Sequence, residues 1–207
     1  KTFLIVNGGR GRNAPSGRLL ERLNEAVEAA GPGSRMAVSY TIEEARELTD
    51  QAARDGFEAL WMGGGDGTVN VLLNHAFHHG MIFGVVPMGT VNALARSLGV
   101  PLDPVVAAWR LVSARPEPVD VIEVAGRKFL CFASIGFDAA VVHEVTGDFK
   151  RRWGRAAYMA AGLRALGLPE RLARFSLSFG DPSSPLPAVV SDLEAPDRPV
   201  PAVQEGY

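Results

Sequence analysis

Residues 63–68, Gly63-Gly64-Gly65-Asp66-Gly67-Thr68, set four glycines around one carboxylate between two apolar segments. The preceding segment, Phe57-Glu58-Ala59-Leu60-Trp61-Met62, reads as a strand. The following one opens near Thr68 and continues through Val69, Leu72, Leu73 and Ala76 at helical spacing. Glycines without side chains let backbone N–H groups approach phosphate oxygens, and the helix N-terminus behind them adds a favourable dipole. Asp66 would repel phosphate directly, so the pattern asks for a divalent cation between them. A tight turn alone needs one or two glycines, and ordering four costs conformational entropy that a plain connection need not incur. The loop is neither of the common phosphate fingerprints, because the chain contains no G-x-x-x-x-G-K-[ST] and no G-x-G-x-x-G.

The loop belongs to a longer alternation. From residue 3 to about 112, short apolar strands at 3–6, 36–40 and 57–62 alternate with helical segments at 16–30 and 42–55. This is the pattern of a parallel sheet with helices on both faces, a three-layer, Rossmann-like α/β domain, and ligands of such sheets bind at the carboxyl ends of the strands. Four turns fall there: Asn7-Gly8-Gly9-Arg10-Gly11-Arg12, Thr41 after Tyr40, the Gly63–Thr68 loop, and Pro87-Met88-Gly89-Thr90-Val91-Asn92 leading into a helix over 93–98. Around Ser113-Ala114-Arg115-Pro116-Glu117-Pro118 the pattern changes, which predicts a nucleotide-binding domain over 1–114 and a second, β-rich, sandwich-type domain over 115–207. In that second part, strands at 119–124 and 128–134 flank Ala125-Gly126-Arg127, helices are expected near 139–144 and 153–166, and a strand at 175–179. The proline-interrupted stretch from about 180 reads as a loose tail.

A chain of 207 residues with 47% hydrophobic content can bury one good core and part of another. A formal charge of −2 gives no sequence-wide footprint for nucleic acid, so an anionic ligand must be met locally. No apolar run approaches the roughly 20 residues of a membrane span. The single cysteine, Cys131, sits in the apolar run 129–133 and reads as a small packed hydrophobe; with no intrachain disulfide available, a reducing cytoplasm is the expected setting. The chain opens Lys1-Thr2-Phe3 without a methionine, already inside a strand, so residues N-terminal to it are expected to be missing.

Two further clusters compete for function. His75 and His79 lie four apart on one helix, with His78 beside them, but a third metal ligand is not evident, and histidines before Gly80 also suit a helix C-terminus. Lys150-Arg151-Arg152 and Arg155, followed by Tyr158, Met159, Leu163 and Leu166, could meet an anionic membrane surface or form a core helix with a solvated basic end, and the second reading is the commoner one.

Taken together, these residues resemble the diacylglycerol kinase catalytic-domain family, lipid kinases that include bacterial diacylglycerol and YegS-like kinases and sphingosine kinases. NAD kinases share the fold and the central loop. The family's N-P-x-[SA]-G opening resembles Asn7-Gly8-Gly9-Arg10-Gly11. Its G-G-D-G-T-x-N loop matches Gly64 to Asn70, and its P-x-G-T-x-N segment matches Pro87 to Asn92. The resemblance runs over roughly residues 3–179 and includes Pro118-Val119-Asp120 and Ser134-Ile135-Gly136-Phe137-Asp138.

The resemblance implies ATP-dependent phosphorylation of a lipid hydroxyl, such as that of diacylglycerol, with Mg2+, in a cytoplasmic protein that touches the membrane peripherally. It implies ATP contacts at Asn7, Thr41, Gly64, Gly65, Asp66, Gly67, Thr68, Val69, Asn70, Gly89 and Thr90. Asp66 would hold the metal–phosphate unit or draw the proton from the acceptor hydroxyl, and Asp120 would orient that hydroxyl. Arg12 and Arg96 are nearby basic groups for charge neutralisation.

The chain departs from the pattern at several points. Gly8 stands where the family has proline, expected only to loosen the turn; Val71 replaces a usual glutamate and Ala93 a common aspartate. The family's later acidic segment, which supplies the proton acceptor, has no counterpart, so the second domain is expected to be incomplete. The alternatives are a catalytically impaired nucleotide-binding module, or an NAD kinase, against which the 87–96 segment argues.

Overall fold

The computed structural model describes residues 1–9, 14–124 and 126–131 and two strands, Phe175–Leu177 and Val190–Asp192. These residues fall into two units. One contains Lys1–Ile122 and Lys128–Cys131; the other contains Glu123–Arg127 and the two later strands.

The first unit is built on four parallel strands, β1 (Thr2–Asn7), β2 (Arg35–Ser39), β3 (Ala59–Gly64) and β4 (Ile82–Pro87), in the order β2-β1-β3-β4. The central strands β1 and β3 are almost entirely buried, as expected where helices cover both faces of a parallel sheet. Alternate residues of one strand face opposite layers. Phe3 and Ile5 of β1 pack with Leu60, Met62 and Val85 against α2 (Ile42–Arg54), α3 (Asp66–Ala76) and α4 (Ala93–Ser97). Leu4 and Val6 pack with Trp61 and Val86 against α1 (Gly17–Ala29) and α5 (Pro104–Val112). The three-layer architecture read from the sequence is therefore present.

The helices begin where their caps allow. Ser16 accepts from the Leu19 N–H at the start of α1, Thr41 from Glu44 at the start of α2, and Asp103 from Val105 and Val106 at the start of α5, where Pro104 takes the first helical position. Helix α3 starts at Asp66, two residues before the position expected from hydrophobic spacing. Gly65 is extended there, and the polar and glycine first turn carries no periodic signal.

Beyond α5, residues 114–121 carry no regular structure, and the strand expected from 119 begins only at β5 (Ile122–Val124), which forms a two-stranded sheet with β6 (Arg127–Phe129). In the second unit, β7 (Phe175–Leu177) pairs antiparallel with β8 (Val190–Asp192). The stretch read as a loose tail thus contributes a strand, which its prolines hid because only three residues take part. The helices expected near 139–144 and 153–166 lie outside the described residues, as do the basic cluster at 150–155 and Arg12.

Candidate functional site

Parallel register brings the ends of all four strands of the first sheet to one edge, pairing Asn7 with Ser39, Val6 with Gly63 and Gly64 with Pro87. At the end of β1, Asn7 Nδ2 donates to Thr68 Oγ1 at 2.9 Å, while Asn7 Oδ1 accepts from the Gly9 N–H at 2.9 Å. One side chain therefore shapes its own turn and holds the first turn of α3. Thr68 is buried, and its side chain fills the space beside Gly64, where a Cβ would come within 2.6 Å of Thr68 Cβ.

The loop after β4 lies directly on the loop after β3. The Met88 N–H donates to the Gly64 carbonyl at 2.8 Å, and a Cβ on Gly89 would stand 2.5 Å from the Gly65 Cα, so the two backbones meet with no side chain between them. Asn92 fixes this loop from the other side. Its Oδ1 accepts from the Gly89 N–H at 2.8 Å and its Nδ2 donates to the Gly89 carbonyl at 3.0 Å. Asn92 is also the one non-glycine residue with positive φ among the described residues, at φ 51°, a conformation that asparagine tolerates better than most.

Asp66 ties the second loop back to the first. Its Oδ1 accepts from the Leu94 N–H at 3.1 Å, so the carboxylate caps α4, whose own N-cap residue Asn92 has its side chain committed to Gly89. Helix α3, in contrast, has no side-chain cap, and the N–H groups of Asp66, Gly67 and Thr68 have no partner among the described residues. Uncapped helical N–H groups behind glycines form an anion-binding surface.

Between the loops lies a shallow crevice lined by Gly64, Gly65, Asp66, Val69, Val85, Pro87, Asn92 and Ala95. The crevice is open to solvent and encloses no room for even a water-sized group, so a nucleotide would lie across the edge of the sheet. The donor set fits a hard divalent cation. Asp66 Oδ1 is engaged by Leu94, and the second carboxylate oxygen has no hydrogen bond among the described residues; one carboxylate oxygen plus phosphate oxygens is the usual environment of magnesium.

The other sequence candidates are distributed as follows. Thr41 is exposed at the end of β2 and caps α2, with Glu44 reaching back to the Tyr40 N–H at 2.7 Å. Val69 packs in the core, and its N–H is bonded to the Gly65 carbonyl, so its part is to seat the loop. Asn70 accepts from Asn74 Nδ2, and Gly89 and Thr90 lie exposed on the second loop. Asp120 is exposed in the irregular segment before β5, with no hydrogen bond among the described residues. Arg96 spends its Nε on the Val91 carbonyl at 2.9 Å and so braces the second loop from within.

Other features were missed in the sequence or read differently. Gly8 does not simply loosen its turn, because the Tyr40 ring occupies the place of its side chain: a Cβ on Gly8 would stand 2.4 Å from Tyr40 Cε1. His75 and His79 both reach one oxygen, Asp50 Oδ1, at 2.9 and 3.0 Å, which joins α3 and its short 3-10 extension (Phe77–His79) to α2. No group of three residues suited to a metal is found among the described residues. Asn74 exchanges two hydrogen bonds of 2.8 Å with the Lys128 backbone and so fastens β6 to α3. Cys131 packs at the margin of the core, where burial pushes its thiol above the ordinary range, against a hydrogen bond with Ser97 and with the Asp66 charge adding to the rise. None of these partnerships has a local sequence signal except the asparagine-rich 70–74 stretch.

Residues 1–124 match the diacylglycerol kinase catalytic domain. A "probable lipid kinase YegS-like" protein of Pseudomonas aeruginosa is 34% identical over 169 residues, covering 79% of this chain and 53% of that protein. One of the same description from Pseudomonas fluorescens is 32% identical over 192 residues, covering 89% and 59%. A solved diacylglycerol kinase structure from Bacillus anthracis superposes with a TM-score of 0.53 at 28% identity, over 63% of this chain and 49% of that one. A second structure from the same organism gives 0.61 at 27% identity, over 77% and 54%. The chain spans about half the length of the curated relatives it matches.

Proposed function

Since the chain belongs to the diacylglycerol kinase catalytic-domain family, we propose that it carries the nucleotide-binding part of a lipid kinase, which moves the γ-phosphate of ATP to a lipid hydroxyl such as that of diacylglycerol. The observation that carries this reading is the junction of the two glycine loops, where Gly65 meets Gly89 and Asp66 spans to Leu94 beside an uncapped helix N-terminus.

Phosphoryl transfer asks the protein chiefly for positioning and charge compensation. The N–H groups of Asp66, Gly67 and Thr68 receive phosphate oxygens, and Asn7 holds Thr68 so that this first turn keeps its place. The chemistry that a bound magnesium would supply is compensation of the phosphate charge. Asp66 is the residue that would hold it, with its carboxylate kept at the crevice by the Leu94 N–H. Asp120 is the proposed orienting group for the acceptor hydroxyl, in the segment that follows the nucleotide-binding unit. Thr41 and Thr90, exposed on either side of the glycine loop, are proposed to contact the nucleotide. The proposed setting is cytoplasmic, with peripheral contact at the membrane where the lipid resides.

A second reading, a module that binds nucleotide without transferring phosphate, is favoured by one observation: among the described residues Asp66 is the only ionisable group lining the crevice. Incubation with Mg·ATP labelled at the γ-phosphate and separate pools of diacylglycerol, other lipid alcohols and NAD distinguishes these. Label entering a lipid, and lost in Asp66→Ala, is the expected result. Label in NAD would reassign the acceptor, and nucleotide binding without transfer to any acceptor would leave the module.

A further inference from the structure

Tyr40 is the most exposed large hydrophobic residue described, at 56%, yet it stands on a rigid base. Its backbone N–H is bonded to Glu44 Oε2 at 2.7 Å in the first turn of α2, and the neighbouring Ser39 carbonyl accepts from the Gly8 N–H at 2.7 Å. The Cδ1–Cε1 edge of its ring takes the place of a Gly8 side chain, where a Cβ would stand 2.6 and 2.4 Å from those atoms. The ring is thereby set against the same Asn7–Gly9 turn whose Asn7 side chain holds Thr68 of the glycine loop. Its hydroxyl makes no hydrogen bond among the described residues.

A single exposed ring is common on protein surfaces, but this one is seated on the turn at the strand ends that also anchors the glycine loop. The geometry points to a nucleobase. The end of β2 and the end of β3 are two strand positions apart in the sheet, with β1 between them. At the usual inter-strand spacing that is roughly 10 Å, a distance a ribose and its first phosphate can bridge. A nucleotide whose terminal phosphates meet the N–H groups of α3 would then lay its base over the end of β2, where Tyr40 stands. We propose that Tyr40 is a stacking platform for the base of the bound nucleotide, and that Gly8 is the residue that seats it. The proposal rests on the nucleotide reading above and adds the residue that recognises the base.

The test compares Mg·ATP with Mg·tripolyphosphate, which has the phosphates and no base, by calorimetric titration of this chain and of its Tyr40→Ala and Tyr40→Phe variants. Stacking on an aromatic ring changes affinity by roughly five- to a hundred-fold. Tyr40→Ala should weaken ATP by that factor, leave tripolyphosphate within about twofold, and reduce the preference for ATP over UTP; Tyr40→Phe should behave as the parent. Tyr40→Trp should show a change in indole emission on adding ATP and none on adding tripolyphosphate. ATP affinity unchanged in Tyr40→Ala would overturn the stacking role alone. An equal loss for ATP and tripolyphosphate would also overturn it, making the ring a support for the turn. If the parent chain binds neither ligand, the nucleotide reading falls and the platform with it.

Discussion

The Asp66 carboxylate holds the Leu94 N–H at the start of α4 and also lines the crevice, so its removal has two effects that a single variant cannot separate. Asp66→Ala deletes both the cap and the charge. Asp66→Asn keeps an oxygen acceptor for Leu94 and deletes the charge. Loss of a side-chain cap costs about 1 kcal/mol, so urea unfolding should place Asp66→Ala about 1 kcal/mol below the parent and Asp66→Asn within about 0.5 kcal/mol. Phosphate transfer should be abolished in both. Equal destabilisation of the two would show that the cap matters less than the charge for folding. At this scale the glycine loop was legible as a strand-to-helix turn, because backbones that approach this closely leave no room for side chains. The Tyr40 ring over Gly8 was not, because it joins the turns after two strands that only the sheet makes neighbours.

Helices were located in the sequence by periodicity and bounded in the structure by caps. Ser16, Thr41 and Asp103 start their helices where their side-chain oxygens accept from first-turn N–H groups, whereas α3 begins without such a cap, and the spacing rule placed its start late. The link between α2 and α3 through Asp50, His75 and His79 could not be read in advance, since i, i+4 histidines look alike whether they bind metal, a carboxylate or solvent. This link has a consequence in acid. Burial opposes ionisation of Asp50, but hydrogen bonds and charge from His79 and His75 outweigh it and hold the carboxyl below its ordinary range. A carboxyl depressed in the folded state contributes stability above its unfolded pKa, about 3.9, and loses it as pH falls through the lower folded value. The difference in urea midpoint between the parent and Asp50→Asn should therefore be present near pH 5 and shrink below about pH 4. A gap that stays constant into stronger acid would assign that stability elsewhere.

Across the whole chain, the alternation of strands and helices was legible because a parallel sheet buried on both faces leaves little freedom in its apolar pattern, and the two core layers follow it. The short pairing of β7 with β8 was not, since three residues among prolines give no period to detect. No helix among the described residues is long and apolar enough to cross a membrane. The order β2-β1-β3-β4 makes the strands bearing the two glycine loops neighbours, and it is this adjacency that lets Gly65 and Gly89 touch. In evolutionary terms the two positions form one unit of variation: a methyl group on either forces the loops apart, and once they have parted a methyl on the other meets little further resistance. The two substitutions should be epistatic. In a double-mutant cycle, Gly65→Ala with Gly89→Ala should destabilise by less than the sum of the single changes, with a coupling energy of about 0.5–3 kcal/mol, and strict additivity would mean that the loops yield independently.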